Sequence, residues 1–416
     1  MTIAGARAPR TDMADAPEHE PAPAAPATDA APPLPTGAEG RVRLRRLAVR
    51  DFRNLHRVEL TPPAEGLAVV GENGHGKTNL LEAIYYLELL RSARGSRDQD
   101  VVRFGEAGFH LSADVELGPG AARRTIAVGF DRQTKRKKVV VDGGEAARLS
   151  DALGSLPSVL FSPRDATLVS GAPTERRRYL DVVLALTSRR YLTALQGYRG
   201  ALLRRNAALR EVARGRADGG RIAVWEPALA EHGAVLWAER TAWVERWAPE
   251  FAALCAAIGE RAPVRLRYAT QLSREGAVAD ALLAALAAKR ALDVKRCVTH
   301  AGPHRDDLEI QLGDRELRLF GSAGQQRTAA LALRVLEART LRERVGAAPL
   351  LLLDDPFAEL DARRARRILA LLADGGLGQT VLAVPRAADI PPELTWLERH
   401  TVRDGVIGPA EREPAP

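Results

Sequence analysis

Leu67-Ala68-Val69-Val70-Gly71-Glu72-Asn73-Gly74-His75-Gly76-Lys77-Thr78-Asn79 is the stretch on which the fold of this 416-residue chain turns. The first four residues form a short apolar run, the mark of a buried strand. Gly71 to Thr78 then match G-x-x-x-x-G-K-[ST]. Glycines let backbone N–H groups point inward around a polyphosphate. In such a loop Lys77 reaches the β and γ phosphates and the Thr78 hydroxyl holds Mg²⁺. A helix is expected over Asn79 to Leu90, with Leu80, Leu81, Ile84, Leu87 and Leu90 marking one face. Its N-terminal dipole would face the same anion. Lysine is rare here, six against 55 arginines, yet it occupies the one position that needs it. The nucleotide set is thus Gly71, Glu72, Asn73, Gly74, His75, Gly76, Lys77, Thr78 and Asn79. GTP is disfavoured: Thr134-Lys135 comes nearest to an [NT]-K-x-D element, but Lys137 stands where the Asp should be. ATP follows by exclusion.

Moving outward, Pro349-Leu350-Leu351-Leu352-Leu353 reads as a second buried strand that ends at Asp354-Asp355. Asp354 is placed to organise the Mg²⁺ shell and Asp355 to orient the attacking water. Lys77 and Asp355 are the expected catalytic pair. Glu359-Leu360-Asp361 follows within one or two turns. About thirty residues earlier, Phe320-Gly321-Ser322-Ala323-Gly324-Gln325-Gln326-Arg327 opens a long helical run. Ser322 and Gln325 make an S-x-x-Q capping box, which requires neither Gly324 nor the residues after Gln325. A Ser-x-Gly-Gln turn at a helix start also forms an anion site, and its place before the acidic strand end resembles the signature motif of ABC-type ATPases.

The rest of the chain sorts into an α/β body with an insertion. Residues 1 to about 40 are rich in Ala and Pro, lack periodicity and read as a disordered tail with no secretory h-region. Val42 to Val49 and Arg57 to Leu60 read as strands around the turn Asp51-Phe52-Arg53-Asn54, and residues 101 to 160 as strands and hairpins. From about 174 to 295 the pattern is helical and holds Trp225, Trp237, Trp243 and Trp247, which at helical spacing more often fill a core than stack on bases. The expected division is a tail at 1–40, a first lobe built from 41–165 and 298–405, a helical second lobe at 166–297, and a short tail at 406–416. No apolar run approaches the ~18–20 residues of a membrane span. Two cysteines exclude a disulfide framework, and a reduced, cytoplasmic setting fits. A net charge of +8 permits a polyanionic partner; the candidate contacts are Lys135, Arg136, Lys137 and Lys138, and Arg176, Arg177 and Arg178.

Together with these motifs, Asp51-Phe52-Arg53-Asn54-Leu55, Phe161-Ser162-Pro163-Arg164-Asp165, Gly171-Ala172-Pro173, Arg176-Arg177-Arg178-Tyr179-Leu180-Asp181 and Gly302-Pro303-His304-Arg305-Asp306-Asp307 resemble the bacterial RecF recombination-repair family. Members are ABC/SMC-type ATPase heads. The resemblance covers about 41 to 400. It implies a P-loop head with a helical second lobe and two ATP molecules sandwiched between two subunits. Lys77 and Thr78 would act in cis and Ser322 and Gly324 on the nucleotide of the partner, with Gln325 also among the ATP-binding residues. It further implies an ATP-dependent homodimer on gapped or junction DNA, partnership with RecR and indirectly RecO, loading of RecA, and slow hydrolysis. Arg53 is expected near the nucleotide, and Asp165 or Arg164, on a segment placed to join the two lobes, as a link to the site; His304 and Arg305 are open between structure and catalysis. One departure stands out. Related heads place Thr or His after the last strand, whereas Gln379 to Arg386 has neither at that place. A nucleotide-binding DNA clamp with little or no hydrolysis therefore stays as the alternative. A transporter ATPase is excluded by the long separation of Lys77 from Gly324, and a structural SMC protein by the absence of heptad arms.

Overall fold

The computed structural model describes residues 40–410 apart from 119, 121–122, 273–275, 358–361 and 375–377. The expected N-terminal tail, save Gly40, and the Glu359-Leu360-Asp361 segment lie outside these residues.

The strand before the phosphate loop, Gly66–Val70, sits inside a six-stranded sheet. Its neighbours are Thr380–Val384 on one side and Glu398–Arg403 on the other, both parallel. Beyond Thr380–Val384 lie Leu350–Asp354 and Ser158–Phe161, also parallel. Their continuous apolar runs reflect burial on both faces. A second six-stranded sheet, wholly antiparallel, is built from Arg43–Phe52, Leu55–Leu60, Gly108–Glu116, Arg123–Asp131, Arg136–Val141 and the short Gly144–Glu145.

The helix Lys77–Leu89 lies between the two sheets, in contact with strands of both. That position overturns the expectation of a single apolar face. Glu82, Tyr85, Tyr86 and Glu88 are buried as fully as the leucines, because a helix covered on both sides has no solvent face to make polar. Gln379 joins the sheets directly. Its Oε1 accepts from Leu44 N at 2.6 Å, and its Nε2 donates to Leu44 O at 3.2 Å and Pro63 O at 2.6 Å.

The second lobe is carried by the helices Pro173–Thr187, Arg189–Ala213, Glu226–Ile258 and Val278–Arg296. It is not purely helical, and it does not close at 297. Val264–Ala269 is a strand paired with Asp307–Leu312, which in turn pairs with Arg315–Glu316. Its alternation, with Val264, Leu266 and Tyr268 buried and Arg265 and Arg267 exposed, is period-two and was legible in the chain. The tryptophans do serve packing: Trp243 and Trp247 are buried, and Trp243 Nε1 donates to Thr340 Oγ1 at 3.2 Å.

The expected tail from 406 is also corrected. Val406–Pro409 returns as a strand on Glu398–Arg403, with Arg403 opposite Val406. Asp404 and Gly405 both have positive φ, 48° and 80°, as a two-residue hairpin turn requires.

Candidate nucleotide site

The loop between Gly66–Val70 and Lys77–Leu89 has the curvature its glycines permit. Gly76 takes φ 116° at the N-cap, and a Cβ there would stand 2.9 Å from Asn54 Oδ1. Lys77 folds back over the loop, donating to the carbonyls of Gly71 and, at 2.9 Å, Glu72. Burial lowers its pKa, and the nearby carboxylates of Asp354 and Asp355 oppose that effect. Thr78 Oγ1 donates to Asp354 Oδ1 at 2.9 Å, across 276 residues of sequence. An all-oxygen pair of hydroxyl and carboxylate at a strand end suits Mg²⁺, so these residues fit the ion expected from the motif. When bound, that ion would neutralise phosphate charge. Burial raises the pKa of both Asp354 and Asp355. Asp355 holds φ 45°, an uncommon conformation for a non-glycine residue, and its N–H donates to Ala383 O at 2.9 Å.

These groups open on a cavity of about 1110 Å³. Asn73, Gly74, Gly76, Lys77, Thr78 and Asn79 line one end, with Asp354 and Asp355 beside them. His75 holds the loop from behind: its Nδ1 accepts from Asp404 N at 3.0 Å, and its carbonyl accepts from Gly405 N at 2.9 Å. The hairpin turn thus braces the phosphate loop.

Two basic residues differ in their relation to the cavity. Arg53, expected near the nucleotide, is not among the residues that line the cavity; it makes a two-point pair with Glu82 at 3.0 Å for each contact and a further bond to Ser96 Oγ at 2.9 Å. Arg94, with no motif to mark it, lines the cavity and donates to Asn79 Oδ1 at 3.0 Å. Glu82 lies 3.3 Å from Arg94 Nε as well, so a single buried carboxylate holds both guanidinium groups.

Asp165, expected as a link to the site, bridges two distant segments of the chain beside the cavity. It lines the cavity with Arg164. Its Oδ2 accepts from Ser162 N at 2.8 Å, and its Oδ1 accepts from Arg334 at 2.8 Å. Arg334 belongs to the helix Ala323–Val345 and pairs with Glu337 on the next turn at 2.6 Å. The nucleotide cavity is therefore tied to the helix that begins at the Ser322 motif.

That motif stands elsewhere. Ser322 is exposed, its Oγ accepting from Gln325 N at 3.3 Å while its N–H donates to Gln325 Oε1 at 2.9 Å. None of Ser322, Gly324 and Gln325 lines the cavity. After Thr380–Val384, Pro385 reaches the cavity wall, whereas Arg386 is mostly exposed and pairs with Asp389 at 2.8 Å.

Three of the seven basic candidates for DNA contact stand on the surface. Lys135 and Arg136 are exposed, as is Lys138, which pairs with Glu145 at 3.0 Å. Lys137 points inward, 2.7 Å from Asp98 and donating to Leu90 O at 2.8 Å. Arg176 is buried in a two-point pair with Asp307 at 2.9 and 2.6 Å. Both serve packing, because each finds a carboxylate on a facing element. Arg177 and Arg178 are half-buried, donating to Asp306 O at 2.8 Å and Ala93 O at 3.2 Å. His304 is enclosed: Tyr198 Oη lies 2.6 Å from its Nδ1 and Thr299 O 3.0 Å from its Nε2.

Residues 43–382 match the model of the RecF/RecN/SMC N-terminal domain family. A DNA replication and repair protein RecF of Chloroflexus aggregans is 37% identical over 392 residues, covering 88% of this chain and 99% of its own length. That of Myxococcus xanthus is 36% identical, covering 90% and 100%. The chain belongs to the RecF family. A solved structure described as the recombination mediator RecF with ATP in the RecFOR pathway superposes with a TM-score of 0.82 at 28% identity, covering 90% of this chain and all of that one. An Smc head bound to the winged-helix domain of ScpA matches at a TM-score of 0.52 and 17% identity, which bears on the fold alone. The RecF family is one of ATP-binding heads in DNA replication and repair. No helix among the described residues is long and apolar enough to cross a membrane.

Proposed function

We propose that this RecF-family chain is an ATP-dependent clamp on gapped or junction DNA, closed as a homodimer with ATP between its subunits and opened by slow hydrolysis. One observation carries the reading. Lys77, Thr78, Asp354 and Asp355 converge on one cavity, while Ser322 and Gly324 stand outside it at an exposed helix start. A helix N-terminus with a glycine and an exposed serine, whose hydroxyl hydrogen is still available to donate, suits an anion, and a second copy of the chain would supply it. Asp165 and Arg334 give each subunit a route by which the state of its own site reaches the helix that would meet its partner.

In this reading Lys77 and Thr78 hold the phosphates and Mg²⁺, Asp354 orders the ion's shell, and Asp355 accepts a hydrogen bond from the attacking water. Partnership with RecR, and through it RecO and RecA, follows from the family and from a relative placed in the RecFOR pathway; a cytoplasmic setting follows likewise. A second reading has a specific support. With Pro385 at the cavity wall and Arg386 paired to Asp389, no side chain in that segment takes the place of the Thr or His found in related heads. A clamp that binds nucleotide with little hydrolysis would result.

Light scattering on an Asp355→Asn variant, with and without Mg-ATP, tests the dimer. Mass should double on adding nucleotide; a persistent monomer with nucleotide bound would refute ATP-driven closure. Turnover with DNA, compared with the same variant, separates the two readings.

A further inference from the structure

Beside the nucleotide cavity lies a second, open groove of about 400 Å³ between the end of the Lys77–Leu89 helix and the first helices of the second lobe. Arg91, Arg177, Arg178 and Arg199 line it, against the two carboxylates of Glu175 and Asp181. Asp181 is already engaged: it accepts from Tyr191 Oη at 2.6 Å, Arg240 at 2.7 Å and Arg199 at 2.8 Å. The wall is thus left with an excess of positive charge and of unused donors. Arg91 forms no hydrogen bond or ion pair with another described residue. Arg177 and Arg178 each give one N–H to a backbone carbonyl, and a guanidinium has five. Burial and then the like charges of Arg178 and Arg199 push the Arg91 pKa down. A cluster of arginines gathered at such a cost fits an anionic ligand that relieves it, and the planar fork of arginine matches phosphate oxygens in pairs.

We propose that this groove holds backbone phosphates of a DNA strand, with Arg91, Arg177, Arg178 and Arg199 as the donors. The assignment rests on the DNA-clamp reading above and gives it a location. It divides the basic run at 176–178: Arg176 is a buried structural ion pair, while Arg177 and Arg178 line the groove with Arg91 from an earlier part of the sequence and Arg199 from the next helix. The position also suits the function. Glu175 and Arg178 line both the groove and the nucleotide cavity, so a strand bound here lies against the site whose occupancy governs the clamp.

The test is a titration of a fluorescent oligonucleotide with a single-strand/duplex junction, followed by anisotropy across a salt series with Mg-ATP present. Each lost phosphate contact lowers the slope of log affinity against log salt by about 0.7 on a single strand and about 0.9 on duplex. An Arg91→Gln/Arg199→Gln variant should therefore lose about 1.4–1.8 from the slope, while an Arg91→Lys variant should keep most of it. Both substitutions are at half-exposed side chains, and thermal melting checks the fold; the single Arg91→Gln variant, expected to lose half as much, stands in if the double variant is unstable. An unchanged slope in a folded variant, with wild type binding normally, overturns the groove and leaves the clamp intact. A wild-type protein with no salt-dependent DNA binding removes the clamp reading and the groove together.

Discussion

His304 offers the sharpest test of whether the Gly-Pro-His-Arg-Asp-Asp segment is catalytic or architectural. Burial is the main cause that lowers its pKa from the ordinary 6.5 to about 4. The neutral ring suits its surroundings: Nε2–H donates to Thr299 O, and Nδ1 accepts from the Tyr198 hydroxyl. A second proton on Nδ1 would face a hydroxyl that already donates there. In the native state the ring stays neutral down to about pH 4, whereas the unfolded chain takes up the proton near 6.5. The unfolded state then binds more protons, so stability falls as the pH drops through that interval and levels off below about 4. The separation between 6.5 and about 4, at about 1.4 kcal/mol for each pH unit, comes to about 3 kcal/mol. The assay is urea unfolding at pH 7.5, 6, 5 and 4 for wild type and for His304→Gln. Glutamine keeps a donor and an acceptor but cannot titrate. His110, whose pKa burial also lowers, is common to both proteins and cancels. The gap between them should narrow by about 3 kcal/mol from pH 7.5 to pH 4. Parallel curves would refute the buried neutral ring and return His304 to the candidates for proton transfer.

Three other substitutions probe the same frame. Gln379→Met should lower stability by about 3 kcal/mol, roughly 1 kcal/mol for each of its three hydrogen bonds, two of them buried and one partly so, read as a shift in the urea midpoint; a loss below about 1 kcal/mol would mean that the sheets are held together by apolar packing alone. Lys137→Met should cost about 2 kcal/mol through its pairing with Asp98, while Lys135→Gln, on the exposed turn, should change stability by less than about 0.5 kcal/mol; equal effects would place Lys137 back among the surface cations.

Much of the fold was legible because its signals are local. The phosphate loop needs a strand, glycines and a helix in immediate succession, and the Leu350–Asp354 strand ends at its acids without help from elsewhere. Two local signals were present and passed over: the Asp404-Gly405 hairpin, and the period-two alternation of Val264–Ala269 inside a helical region. Arg53, Arg94, Lys137 and Arg176 were illegible for a different reason. Each is an ordinary basic residue whose role depends on which carboxylate faces it, and Asp307 lies 131 residues from Arg176.

Adjacent residues were enough to specify a nucleotide-binding α/β head and its family, since backbone curvature, helix dipole and strand burial are set by neighbours in the chain. Long-range packing alone decided which charges are internal and which are free. Burying an unpaired charge is costly, so Arg176 is internal because Asp307 faces it, whereas Arg91, with no acid in hydrogen-bond reach, stays exposed on the groove.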